Sequence, residues 1–304
     1  MIGKTPRIFQ GKNTDKKVLE TMRQRLCEGK PFSGELVNYT KDGQEYVLEL
    51  MVDPVHNQNG RITHFVSIQR DITEHKEAEK KLREEQEKSE RLLLNILPEA
   101  IAQRLKQQPG TIADGFSEAT VMFADLVNFT QLATQMSPQK LVGMLNSIFS
   151  AFDELTEQYG LEKIKTIGDS YMVVAGVPLA RRDHAEAMAG LALEMQEKLT
   201  QFNEQQGTNL NLHIGINSGP VVAGVIGKKK FIYDLWGDTV NTASRMESHG
   251  VNGGIQLSEV TYQLLQSKYN CEKRGSIVVK GKGEMTTYLL LDHRVEQLAL
   301  ASSI

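Results

Sequence analysis

Lys165 stands four residues ahead of Asp169 in the stretch EKIKTIGDSYM, residues 162–172. On a helix the two would form a surface ion pair in the less favourable order, stabilising by about 0.2–0.5 kcal/mol. The neighbours favour a strand instead. Ile164, Thr166, Ile167, Tyr171, Val173 and Val174 are β-branched or aromatic, and Gly168-Asp169 fits a two-residue hairpin loop. Asp169 is then expected at a tip, with Lys165 on the incoming strand. A second carboxylate, Asp125, falls where the apolar run VMFADLV gives out, and a charge in such a place needs a partner. The following LVNFT opens a helix-like turn whose free N–H groups suit a phosphate; a capping aspartate fits the same stretch.

A third constellation lies in YDLWGDTVNTASR, residues 233–245. Gly237-Asp238 is expected to break a strand and cap a helix, which sets Asn241 and Arg245 at i,i+4 on one face. An amide beside a guanidinium suits a sugar and a phosphoryl group, and equally an ordinary surface face. VVKGKGEMTTYLL holds Lys280 and Lys282 in a glycine-rich turn. Acidic strand ends, a helix start and scattered bases together point to phosphate chemistry. Oxygen-only donors suit Mg²⁺ or Mn²⁺ better than zinc. Spacing alone does not show that these pieces converge.

The elements that must position these groups fall into segments. Residues 1–72 carry short strand patterns: GELVNYTKDGQEYVLELMVDPV reads as two strands about Asp42-Gly43, and RITHFVSIQRDIT as a third after the Asn59-Gly60 turn. Residues 73–108 are charged and helical. Positions 75, 78, 82, 85, 89, 92 and 96 form a heptad seam, weakened by Glu85 and Ser89, that predicts a parallel coiled coil or a solvated linker helix, with a break at Pro98. Residues 109–293 alternate strand and helix, including a helix over 137–160 with a Ser137 cap and Pro138 in its first turn, and a tail follows over 294–304. The expected class is α/β or α+β, with helices on an apolar sheet.

Composition narrows the function. Lys and Arg total 35 against 38 for Asp and Glu in 304 residues, a net charge of -3, so nothing favours nucleic acid or an anionic membrane as partner. Two distant cysteines, Cys27 and Cys271, exclude a disulfide framework or a structural zinc site. No apolar run is long enough to span a bilayer and the start lacks a signal-peptide core, so a cytoplasmic protein is expected.

FADLVNFT, KIKTIGDSYM, YDLWGDTVNTASRMES and VKGKGEMTTYLL, in this order, resemble the catalytic domain of class III nucleotidyl cyclases over about residues 115–292. The resemblance implies a mixed sheet flanked by helices, and a head-to-tail homodimer with active sites between the chains. It implies that Asp125, Asp169 and the backbone carbonyl of Leu126 hold two Mg²⁺ or Mn²⁺ ions per site. Phe129 and Thr130 would offer backbone N–H groups to the phosphates of a nucleoside triphosphate, with Lys280 and Lys229 as further substrate contacts. Asn241 would orient the ribose and Arg245 would stabilise charge at the pentavalent phosphorus. Lys165 and Asp234 would read the purine. A lysine donor and an aspartate acceptor complement adenine at N1 and the exocyclic amine; guanine inverts both groups. Guanylyl cyclases typically carry glutamate and cysteine there, so the resemblance is to an adenylate cyclase, a phosphorus–oxygen lyase with ATP as substrate. The alternatives are a guanylate cyclase and an inactive nucleotide-binding regulatory domain.

The N-terminal segment resembles part of a PAS domain, and of light-oxygen-voltage domains in RIFQG, NYTKDG and SIQRDIT. Asn38 and Gln69 match polar flavin contacts. Pro6, however, takes the place of the reactive cysteine and Leu48 that of a flavin-binding asparagine, so no flavin is expected.

Overall fold

Asp42-Gly43 makes the turn its sequence predicts, with Gly43 at φ 81°, and joins β1 (Phe32–Tyr39) to β2 (Glu45–His56). Gly60, at φ 73°, then leads into β3 (Ile62–Asp71), giving an antiparallel three-stranded sheet in the order β1-β2-β3. Helix α1 (Lys16–Cys27) is capped by Asp15, whose carboxylate accepts from the Lys17 and Val18 N–H groups. It covers one face of the sheet, packing Val18, Leu19, Met22 and Leu26 on Phe32, Leu36, Leu48, Leu50 and Val52. Strand β3 is exposed along its whole length.

This computed structural model describes residues 4–107, 110–134, 136–227 and 231–294, and the chain divides into two units, Met1–Leu92 and Leu93–Ile304. Helix α2 (Thr73–Leu94) follows β3 and buries no residue. It stops at Leu94, two residues short of Ile96, the last position of the expected heptad seam, and the Ile96 and Leu97 N–H groups close a turn on the Leu93 carbonyl ahead of Pro98. Helix α3 (Glu99–Gln107) restarts directly after that proline.

The second unit is a mixed eight-stranded sheet. Its elements in chain order are β4 (Ile112–Val127), α4 (Phe129–Ala133), α5 (Pro138–Gln158), β5 (Glu162–Ile167), β6 (Ser170–Ala175), α6 (His184–Gln206), β7 (Asn211–Ile226), β8 (Ile232–Trp236), α7 (Asp238–Ser248), β9 (Ile255–Ser258), α8 (Glu259–Leu265), β10 (Tyr269–Val279) and β11 (Gly283–His293). The strand order is β10-β11-β9-β7-β4-β6-β5, with β8 paired to β7. Among the described residues, only the β7–β9 pair is parallel.

Side-chain alternation along β4 sorts the two faces. Met122, Ala124 and Leu126 pack with α5 and α6 through Ile148, Phe152, Met188 and Met195. Val121 and Phe123 pack on the other side with Ile101 and Ala102 of α3 and Ala243 of α7. Asp125 has the parity of this second face. Helix α7 lies so close to β7 there that a Cβ on Gly215 would stand 1.9 Å from the Glu247 nitrogen, a contact that only glycine permits.

Candidate active site

The β5–β6 hairpin forms as its sequence predicts. Gly168 adopts φ 65°, the two-residue loop is Gly168-Asp169, and Ser170 pairs with Asp125 of β4. The backbone carbonyl of Asp169 accepts from the Leu126 N–H at 3.4 Å. A carboxylate near the end of β4 and one in the hairpin loop are thereby brought within reach of each other's charge. Asp125 lies two residues inside the end of β4 rather than at its tip, so it is partly buried. Burial, and then the like charge of Asp169, push its carboxyl up to about 6. Directly after β4, Asn128 takes a left-handed φ of 65°, which ends the strand and starts α4 at Phe129-Thr130.

A third carboxylate shares this environment and escaped the sequence reading. Glu247, on α7, is raised to about 7 by burial and by the charges of Asp125 and Asp169. The signal for it was available: Glu247 follows buried Ala243 by four positions, which puts a charged residue on the inward side of the helix.

Lys165 does not pair with Asp169. Its ammonium bonds the carboxylate of Asp234 on β8, whose other oxygen accepts from the Leu235 N–H at 2.8 Å. A register shift between Lys163 and Lys165 in the β5–β6 ladder accompanies this placement. The two residues expected to read a base are thus together, and both are largely shielded, with side-chain exposures of 33% and 19%.

Asn241 and Arg245 lie one turn apart on α7, both exposed, and neither side chain has a hydrogen bond or ion pair among the described residues. Asp238 does not cap this helix; Gly237 precedes the first turn, and the Asp238 carboxylate is held by Lys282. That bond ties the turn between β10 and β11, where Gly281 and Gly283 have φ 84° and 77°, to the start of α7. Lys280 lies exposed in the same turn. Lys229 and the tail beyond residue 294 lie outside the described residues. Among the described residues, no hydrogen bond or ion pair joins Asp125 and Asp169 to Lys165 and Asp234.

The donor chemistry fits a hard divalent cation. Asp125 and Asp169 offer only oxygen, and their mutual repulsion is relieved by a positive charge between them. No group of three His, Cys, Asp or Glu side chains able to hold a metal occurs among the described residues, so such an ion would complete its shell with carbonyl, water or substrate oxygens.

Residues 112–292 match the adenylate and guanylate cyclase catalytic domain, and residues 1–74 match a PAS domain. An adenylate cyclase of Mycobacterium tuberculosis is 48% identical over 219 residues, covering 72% of this chain and 49% of its own length. The soluble guanylate cyclase subunit beta-2 of Rattus norvegicus is 44% identical over 211 residues, 69% of this chain and 31% of that one. Among solved structures, the guanylate cyclase domain of RhGC from Catenaria anguillulae, in complex with GTP, is 38% identical with a TM-score of 0.58, over 60% of this chain and all of that domain. The chain spans half or less of the length of these curated relatives. Cyclase domains of this family act as dimers on a nucleotide substrate, generally with Mg²⁺ or Mn²⁺. The eight-stranded mixed sheet, the paired carboxylates and the match over residues 112–292 agree: this chain belongs to the class III cyclase catalytic domain family, preceded by a PAS-like segment.

Proposed function

We propose that this chain is an adenylate cyclase, converting ATP to 3′,5′-cyclic AMP and pyrophosphate in sites completed between two head-to-tail copies. The observation that carries the choice of base is the Lys165–Asp234 pair. Lysine donates and aspartate accepts, matching the N1 acceptor and exocyclic amine donor of adenine. Guanine would face each group with its like, at about 1–3 kcal/mol apiece.

Asp125 and Asp169, with the Leu126 carbonyl, would hold divalent cations, which would lower the pKa of the ribose 3′-hydroxyl and carry the phosphates. The 3′-oxygen attacks the α-phosphorus; the bond to the β-phosphate oxygen breaks, pyrophosphate leaves, and the hydroxyl proton passes to solvent. Phe129 and Thr130 N–H groups and Lys280 would take up phosphate charge. Asn241 would orient the ribose, and Arg245 would stabilise the pentavalent phosphorus. One chain type carries both residue groups, with no bond between them among the described residues, which supports two equivalent sites in a homodimer. Residues 1–72 would serve as sensor, 73–108 as connecting coiled coil and 109–293 as catalyst.

Purified chain supplied with ATP or GTP, each with Mg²⁺ and Mn²⁺, tests the reading. Faster production of cyclic GMP than of cyclic AMP would refute the choice of base. A regulatory domain without turnover is distinguished by Asp125→Ala, which abolishes activity only in an enzyme.

A further inference from the structure

A row of buried polar side chains crosses the second unit away from the carboxylates. His184, Thr120, Ser218, Thr261, Ser258 and Asn217 are each at most 6% exposed. They are linked in sequence: His184 Nδ1 to Thr120 at 2.7 Å, Thr120 to Ser218 at 2.7 Å, Ser218 to Thr261 at 3.0 Å, Thr261 to Ser258 at 3.2 Å, and Ser258 to Asn217 Oδ1 at 2.6 Å. The last link leaves the sheet. Asn217 Nδ2 donates at 3.0 Å to the Thr239 carbonyl in the first turn of α7, and the Thr239 hydroxyl donates at 2.7 Å to the Pro220 carbonyl.

Proton counting gives the chain one direction. The Asn217 amide nitrogen must face the Thr239 carbonyl, so its oxygen can only accept, and Ser258 spends its single hydroxyl proton there. Thr261 must then donate to Ser258, Ser218 to Thr261, and Thr120 to Ser218. Thr120 has no proton left for the imidazole, so His184 donates from Nδ1. Burial lowers the imidazole's pKa, which favours the neutral ring. Every hydroxyl along the row is satisfied, which in a dry interior makes the arrangement rigid and specific.

We infer that Asn217 is a positioning residue for the reaction, held by a one-way hydrogen-bond relay from His184 and fixing the first turn of α7, two residues ahead of Asn241. This rests on the proposed role of α7 as carrier of Asn241 and Arg245. Displacement of reacting groups by about 1 Å costs up to about 100-fold in rate, so loosening this turn acts on kcat while substrate binding elsewhere is kept.

The test uses the full chain with ATP and Mn²⁺, below the melting temperature of each variant. Asn217→Asp, which cannot donate to Thr239, and Thr120→Val, which cuts the relay remotely, are expected to lower kcat about 10–100-fold with KM within about twofold. Thr120→Ser, which keeps the hydroxyl, is expected to stay within about threefold of the parent. Unchanged kcat in the first two, losses confined to KM, or equal damage in Thr120→Ser would overturn the inference. The relay's direction has its own readout: ¹⁵N-labelled His184 should show the Nδ1–H tautomer, and an Nε2–H signal refutes it whether or not the parent makes cyclic nucleotide. A parent inactive on both ATP and GTP would instead refute the cyclase reading.

Discussion

Lys165 and Asp234, 69 residues apart in the chain, neutralise each other across β5 and β8. Each is the other's partner before any ligand arrives. On the proposed reading, a purine bound here would meet a prearranged donor and acceptor rather than two mobile charges. Replacing both by the pair typical of guanylyl cyclases, Lys165→Glu with Asp234→Cys, is expected to lower the ATP-to-GTP ratio of kcat/KM by at least about 100-fold, since two contacts change sign. Competition assays with both nucleotides measure the ratio.

Asp169 and Lys165 are separated by three residues and belong to different residue groups. In a head-to-tail dimer they would serve different substrates. Lys165→Ala and Asp169→Ala homodimers should each be inactive, and mixing them should restore activity, because one site of the mixed dimer collects both lesions and the other none. Mixed dimers shown to form but to remain silent would rule out two shared sites.

Asp125 makes the fold's stability depend on pH. Its carboxyl titrates at about 6 in the fold, above an ordinary aspartate, so the folded state holds the proton more tightly than the unfolded chain. The parent is therefore favoured below about pH 4 and loses stability as pH rises through 6. Asp125→Asn removes this loss. In EDTA it should be more stable than the parent at pH 8 by about 1–2 kcal/mol, solvent screening part of the effect, and should match it near pH 4. Mn²⁺ should raise the melting temperature of the parent and leave that of the variant unmoved.

Arg245 is exposed and makes no side-chain bond among the described residues, so its removal should leave folding intact. Arg245→Ala is expected to reduce kcat by about 100–1,000-fold, with KM and the melting temperature little changed. A large rise in KM instead would assign it to ground-state binding.

What the sequence discloses here is local chemistry. Asp42-Gly43, Asn59-Gly60 and Gly168-Asp169 announce their turns because only such residues accept the backbone they impose, and Ser137-Pro138 announces a helix start in the same way. Sheet order is carried by long-range packing and has no such marker: nothing in β7 tells that β4, β8 and β9 will all pair with it. Asp238 falls one place too late to cap α7, inside its first turn behind Gly237, and its carboxylate is left to a distant lysine, Lys282. Glu247 carries no sequence marker of its own, because a carboxylate inside a helix reads as solvated unless its buried neighbours are counted. The motifs, by contrast, could be matched residue by residue, and the structure brings Lys165 to Asp234 and Asp125 to Asp169.

Asn241 and Arg245 are exposed on every copy of the chain, and their side chains make no hydrogen bond or ion pair among the described residues. If a second copy completes the site, output grows with the square of abundance while chains are scarce. Expression level then becomes an input to signalling: a cell holding few molecules is nearly silent, and a modest rise in synthesis, or crowding of chains at one place, acts as a switch in its own right.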